Sequence, residues 1–187
     1  LGAEVVMVTR VGNDVFADTT LENFHKNGID TTHVLRTDAS SGVAPIFVDP
    51  ESRNSILIIK GANAYLSPAD VEDAREDIAK CKLIVLQLEI PLDTVYATIE
   101  LGKVLGIPVL LNPAPVAPEL DLERICGIEF FMPNESELEL ITGMPVDTLD
   151  DVGKATDVLL GGRHHEYHCD LGLAWCDVGP CVWTRNH

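Results

Sequence analysis

Four apolar runs, three followed by helix signals and one by the loop PAPVAP, constrain this chain more than any other feature. They are EVVMVTRVG (4–12), CKLIVLQLE (81–89), IPVLLN (107–112) and EFFMPN (129–134). Each is apolar at nearly every position, the pattern of a strand buried on both faces. Between them lie helix signals. Asp14 to Asn27 carries Val15, Phe16, Leu21 and Phe24 at rough helical spacing, and Gly28 stands as a C-cap. Ser67-Pro68-Ala69-Asp70 is a capping box with proline at the first helical position, predicting a helix to about Lys80. Pro91 opens another helix. Ser136 to Thr142 is closed by Gly143, and Thr148 to Asp151 caps a helix running to about Leu160. Strand and helix alternate with short links, which predicts an α/β fold with a mainly parallel sheet covered by helices.

One segment breaks the alternation. SGVAPIFVDPESRNSILIIKG (41–61) reads as a hairpin turning at DPESRN. Its arms, VAPIFV and ILII, show no polar alternation, so both faces want burial. Two arrangements satisfy this: one face over a ligand pocket with the other against a second subunit, or a hairpin packed wholly within its own domain.

Length and charge narrow the function. The 187 residues suffice for one well-buried domain and are short for two. A formal net charge of −17 would repel nucleic-acid phosphates, so no nucleic-acid partner is expected. Small phosphorylated ligands stay compatible, because local backbone N–H groups or Mg²⁺ can outweigh a global charge. No apolar run approaches a membrane span and LGAEVVMVTRVG has no secretory pattern, so neither membrane insertion nor export is expected. Five cysteines, an odd number without a disulfide-framework pattern, point to a reducing cytoplasm.

In open α/β sheets ligands bind beyond the carboxyl ends of the strands. Glu89 in QLE, Asn112 in NPAP and Asn134 in PNESE fall at such ends. Singly, each reads as a turn former or a cap; three at equivalent positions point to a site. Glu89 offers a carboxylate to substrate hydroxyls, and Asn134 a donor and an acceptor to a nucleotide. Glu135 and Glu137 complement a helix dipole by default, and Glu137 is also suited to holding water on Mg²⁺.

These residues carry a family resemblance. LGAEVVMVTRVGNDVFAD, SSGVAPIFVD, IIKGAN, QLEIP, NPAP and PNESELELITG follow the order and spacing of ribokinase-like (PfkB) carbohydrate kinases, from Leu1 to about Leu160. The chain looks closest to members acting on ribose or 2-deoxyribose. The resemblance implies a three-layer α/β sandwich with a β-hairpin lid at about 41–61. It implies ATP-dependent phosphorylation of a pentose at its primary hydroxyl, with Mg²⁺ and, in some members, a monovalent cation. Carried over, Glu89 would contact sugar hydroxyls, and Gly42, Ala44 and Ile46 would lie on the lid above the sugar. Asn134 would contact ATP, Glu137 would organise Mg²⁺ through water, and Asn112 would shape the loop beside the site. The lid's outer face would pair two subunits as a homodimer. The rival readings are a kinase for fructose or a nucleoside, and a non-catalytic module binding a sugar or a partner chain.

The family also carries a GGKGAN element ahead of the position matching Leu1 and a GAGD element supplying an anion hole and the catalytic aspartate. Neither occurs here, and GAN at 61–63 follows the hairpin, so it is no substitute. No catalytic base is therefore assigned, and these residues alone are expected to show no appreciable kinase activity. Residues 161–187 depart from the family altogether. HHEYHC (164–169), with Cys176 and Cys181, invites a Zn²⁺ reading, yet lacks paired ligand spacing. Read one base downstream, the codons of 164–178 can spell T-N-I-I-V-T-L-G-S-R-G, a core strand with its glycine turn. A frameshift starting near residue 161 is the expectation.

Overall fold

The computed structural model describes residues 2–51 and 53–160. They form two compact units: residues up to Lys80 together with Glu89–Thr94, and Cys81–Leu88 together with the chain from Val95 onward.

The first unit opens with β1 (Val6–Val11), α1 (Val15–Lys26) and β2 (Asp30–Arg36). β1 and β2 pair in parallel, with Val8 opposite His33 and Val11 opposite Arg36. The helix between them is the crossover that parallel pairing requires. α1 begins where the sequence predicts, on the Asp14 N-cap, and Gly28 follows it with φ +69. β2 is an addition, since the sequence reading assigned no element between Gly28 and Ser41. DTTHVLR is half-buried at alternating positions and so presents no apolar run. β1 itself is only half-buried apart from Val11, less than its apolar run predicts.

The hairpin forms as expected: β3 (Ile46–Val48) and β4 (Asn54–Ile56) are antiparallel, with Ile46 opposite Ile56. Ile46, Phe47 and Val48 are 61–67% exposed, and Ile56 and Leu57 are also open, so among the described residues the hairpin is not packed within its own domain, the second of the two arrangements above. A 3₁₀ turn (Gly61–Tyr65) leads to α2 (Pro68–Asp73) and α3 (Arg75–Ile78). The Ser67–Asp70 capping box is present, but the predicted single helix is broken at buried Ala74 (φ −87, ψ −1). Asp70 also takes two bonds from Arg10 of β1, Nε at 2.8 Å and Nη2 at 2.7 Å. This ion pair ties the helical segment to the strand.

The second unit is built on a three-stranded parallel sheet, β5 (Ile84–Leu86), β6 (Val109–Leu111) and β7 (Phe130–Phe131), in that order. Between β5 and β6 runs α4 (Leu92–Leu105), whose first turn clusters with the first unit. This helix packs tightly at Gly102, where a Cβ would lie 2.6 Å from Val109 Cγ2 of β6. α5 (Leu122–Ile125) precedes β7, and α6 (Glu135–Thr142) and α7 (Leu149–Leu160) follow it and pack on each other. The buried set of this unit includes Leu88, Ile99, Val109, Leu111, Phe131, Leu138 and Ala155, drawn from strands, helices and the turn after β5. At about 25 cal/mol per Å² of apolar surface, side chains of this size each contribute roughly 1.5–3 kcal/mol of burial.

Candidate functional site

In the first unit, a hydrogen-bonded cluster forms where β1 ends. Gly12, Asn13 and Asp14 turn the chain from β1 into α1, and the start and finish of the hairpin converge on them. Asp14 Oδ2 accepts from the Ser41 amide at 2.7 Å. Its Oδ1 accepts from Ser41 Oγ at 2.7 Å and from the Ala17 amide at 2.9 Å. The Ser41 amide, then its hydroxyl, then the Ala17 amide hold the Asp14 carboxyl below the usual range, because each favours the charged form. Ser41 Oγ in turn accepts from the Gly12 amide at 3.0 Å.

Gly42 follows at the root of the outgoing hairpin arm. A Cβ on it would sit 2.8 Å from the Lys60 carbonyl oxygen and 2.9 Å from Asn63 Nδ2. The residue type at 42 is thus set by the returning arm. Ala44 and Ile46 lie further out on the same arm, both exposed. Glu89 stands just past β5, half-buried, and clusters with this unit although its strand belongs to the other. The sugar-side residues read from the sequence therefore all fall in one unit.

The second unit holds the remaining candidates. Asn112 is exposed directly after β6, with its amide donating to the Leu86 carbonyl at 2.9 Å. Asn134 caps α6: its Oδ1 accepts from the Glu137 amide at 2.8 Å, while Glu137 Oε2 accepts from the Asn134 amide at 2.9 Å. This reciprocal box satisfies two otherwise unpaired donors. It also orients what is left over. Asn134 Nδ2 and Glu137 Oε1 have no hydrogen-bond partner among the described residues. One donor and one carboxylate oxygen thus stand at the carboxyl end of β7. Among the described residues, no group of three or more His, Cys, Asp or Glu side chains could hold a metal ion directly. The His/Cys tail and the frameshift expected from residue 161 lie outside the described residues.

Sequence reasoning took Asp14 only as the start of a helix and gave Ser41 no role. The signal was faint. A helix-capping aspartate directly after a strand and its glycine looks ordinary, and nothing in the sequence shows that a serine 27 residues on reaches it.

Parallel strands joined through helices, a two-stranded antiparallel hairpin and polar residues just past strand ends make this an α/β protein. Arabidopsis thaliana ribokinase, in a structure with ribose and ATP, matches with a TM-score of 0.79 at 25% identity, over 90% of this chain and 55% of that one. A deoxyribokinase from Salmonella typhi is 57% identical over 161 residues, 86% of this chain and 53% of that protein. Mouse ribokinase is 37% identical over 183 residues, 97% of this chain and 55% of that enzyme. Residues 1–163 match the pfkB family carbohydrate kinase model, and the chain belongs to that family. It spans about half the length of the curated relatives it matches.

Proposed function

We propose that these 187 residues supply the lid and part of the sugar- and nucleotide-facing strand ends of an ATP-dependent kinase that phosphorylates a pentose, ribose or 2-deoxyribose, at its primary hydroxyl. The observation that carries this reading is the grouping of Glu89 with the hairpin bearing Gly42, Ala44 and Ile46 in one compact unit. A carboxylate accepts hydrogen bonds from two neighbouring hydroxyls, the recognition a polyol needs. The apolar hairpin in the same unit suits a lid that excludes water from a reacting hydroxyl. The 57% identity to a deoxyribokinase supports a pentose as the acceptor.

On the nucleotide side, Asn134 Nδ2 is a donor for ATP, and Glu137 Oε1 an acceptor for a water on Mg²⁺. The residues fit that ion, because the cap engages only Oε2 and leaves the other carboxylate oxygen at the strand end. Mg²⁺ with ATP supplies charge neutralisation on the transferring phosphoryl group. No residue here is assigned as the base, and the 187 residues by themselves are proposed to turn over no pentose.

A cytoplasmic setting belongs to this proposal, supported by an odd count of five cysteines without a disulfide-framework pattern. The exposed hairpin supports pairing of two subunits through the lid.

Two measurements test the reading. In a coupled ADP-release assay with ribose and 2-deoxyribose, the chain should show no appreciable turnover; a rate near that of a full-length sugar kinase would refute the inactive-fragment assignment. By calorimetry, Glu89→Gln should weaken pentose binding about tenfold or more, since one charged acceptor is lost. Equal affinity in parent and variant would remove Glu89 from the sugar site.

A further inference from the structure

Both arms of the hairpin start and end at one place in the first unit. Val43 and Ile59 exchange backbone bonds in each direction, at 3.0 and 2.9 Å, and the Ala62 amide donates to the Ser40 carbonyl at 2.8 Å. Backbones meet here without room for side chains. A Cβ on Gly12 would lie 2.4 Å from the Ala39 carbonyl oxygen and 2.4 Å from the Ser41 nitrogen. One on Gly61 would lie 2.5 Å from the Ser40 carbonyl oxygen, at a φ of +50 that already favours glycine. Segments 12–14, 39–42 and 60–63 are thereby brought into one knot.

A single carboxylate, that of Asp14, is bonded into this knot. Capping α1 needs one acceptor oxygen, which Asn or Ser provides equally well. Asp14 uses both oxygens, and two of its three bonds go to Ser41, which is only 6% exposed. Helix capping alone therefore does not account for an aspartate at this position. The second oxygen is spent on the root of the hairpin.

We infer that Asp14 is a positioning residue for the lid: through Ser41 its carboxylate fixes where the outgoing arm starts and so places Gly42, Ala44 and Ile46. Asp14 need not touch substrate. Its effect runs from the end of β1, through two bonds to Ser41, into the arm. What the lid covers rests on the pentose reading above; the anchoring rests on the geometry of residues 12–14, 39–42 and 60–63 alone.

Asp14→Asn separates anchoring from capping. It keeps Oδ1 for the Ala17 amide and the Ser41 hydroxyl, and sets an NH₂ group against the Ser41 N–H. Ser41→Ala, which leaves the cap intact, is the second variant. Hydrogen exchange on the 187-residue chain and calorimetry with ribose and 2-deoxyribose read the outcome. The expected result for Asp14→Asn is about tenfold faster exchange at the Val43 and Ile59 amides, unchanged exchange in α1, and about tenfold weaker pentose binding. Ser41→Ala should move the same amides in the same direction. Lid exchange within twofold of the parent, or equal loosening of α1 and the lid, overturns the inference. So does a loosened lid with unaltered pentose affinity. Should Asp14→Asn fail to fold, Ser41→Ala decides by the same criteria. If the parent chain binds neither pentose, the pentose reading fails, and lid exchange alone decides the role of Asp14.

Discussion

The Arg10–Asp70 pair offers the clearest quantitative test of what holds the first unit together. Asp70 is 8% exposed and Arg10 23% exposed, and the guanidinium is bound through both Nε and Nη2. Asp70 Oδ2 also accepts from the Ser67 amide at 2.8 Å and the Ser67 hydroxyl at 2.9 Å, so the carboxylate serves the α2 cap and the ion pair together. In Asp70→Asn the amide oxygen would keep the position with three donors, and its NH₂ would oppose Arg10 Nη2. Removing one partner of a fully buried pair costs about 3–5 kcal/mol. Arg10 keeps some access to water, so a loss of about 2–3 kcal/mol is expected here. Urea unfolding should show a lower midpoint with an unchanged slope. A double-mutant cycle with Arg10→Met should return a coupling of about 1–3 kcal/mol.

The pH dependence of this pair has a definite sign. Arg10 first, then the Ser67 amide and hydroxyl, holds the Asp70 carboxyl below its ordinary value against the opposing effect of burial. A depressed folded-state value means the stabilisation is fully present above the unfolded carboxylate value, about 4, and is lost as pH falls through the folded value. Parent and Asp70→Asn stabilities should therefore converge below about pH 4 and separate above it. A variant within 0.5 kcal/mol of the parent at neutral pH, roughly the scatter of neutral surface changes, would refute the reasoning, as would a gap independent of pH.

Two further outcomes follow from the hairpin. Gly42→Ala puts a Cβ 2.8 Å from the Lys60 carbonyl oxygen, so the returning arm must move; a loss of about 1–3 kcal/mol is expected by chemical denaturation, and a neutral result would show that the arms are not tightly apposed. Phe47→Glu places a charge on an exposed apolar arm, at a side chain that is 62% exposed. If two subunits pair through this surface, sedimentation should show a shift toward monomer with little change in monomer stability; an unaltered sedimentation profile would count against that pairing.

Much of the architecture was legible because it rests on local chemistry. The Ser67–Asp70 box, the Asn134 cap with Gly143 at φ +68, and the turn after Asp49 are decided within a few residues, and each appears where the sequence places it. β2 was not legible, since a half-buried strand carrying Thr31, Thr32 and His33 offers no apolar run. The break at Ala74 was hidden for a related reason: alanine is an ordinary helix former, and nothing local marks the interruption. Glu89, Asn112 and Asn134 could be placed after strands because strand ends are predictable. Asp14 and Ser41 could not, because their partnership spans 27 residues.

Apart from β2 and the break at Ala74, the succession of strands and helices, the hairpin and the caps could be read from the residues, since these follow from periodicity and from side chains reaching their own backbone. The kinase family, too, was written in the order of its short motifs. Which long-range partners those side chains take depends on packing in the tertiary structure. It divided Asn134 and Glu137 between capping and outward-facing atoms, and tied Asp70 to Arg10 of β1, 60 residues away. It also bonded the Asp14 carboxylate to Ser41 as well as to the first turn of α1. The physical reason is the same throughout. A carboxylate or amide offers several hydrogen-bonding sites, local sequence accounts for one of them, and the fold assigns the others.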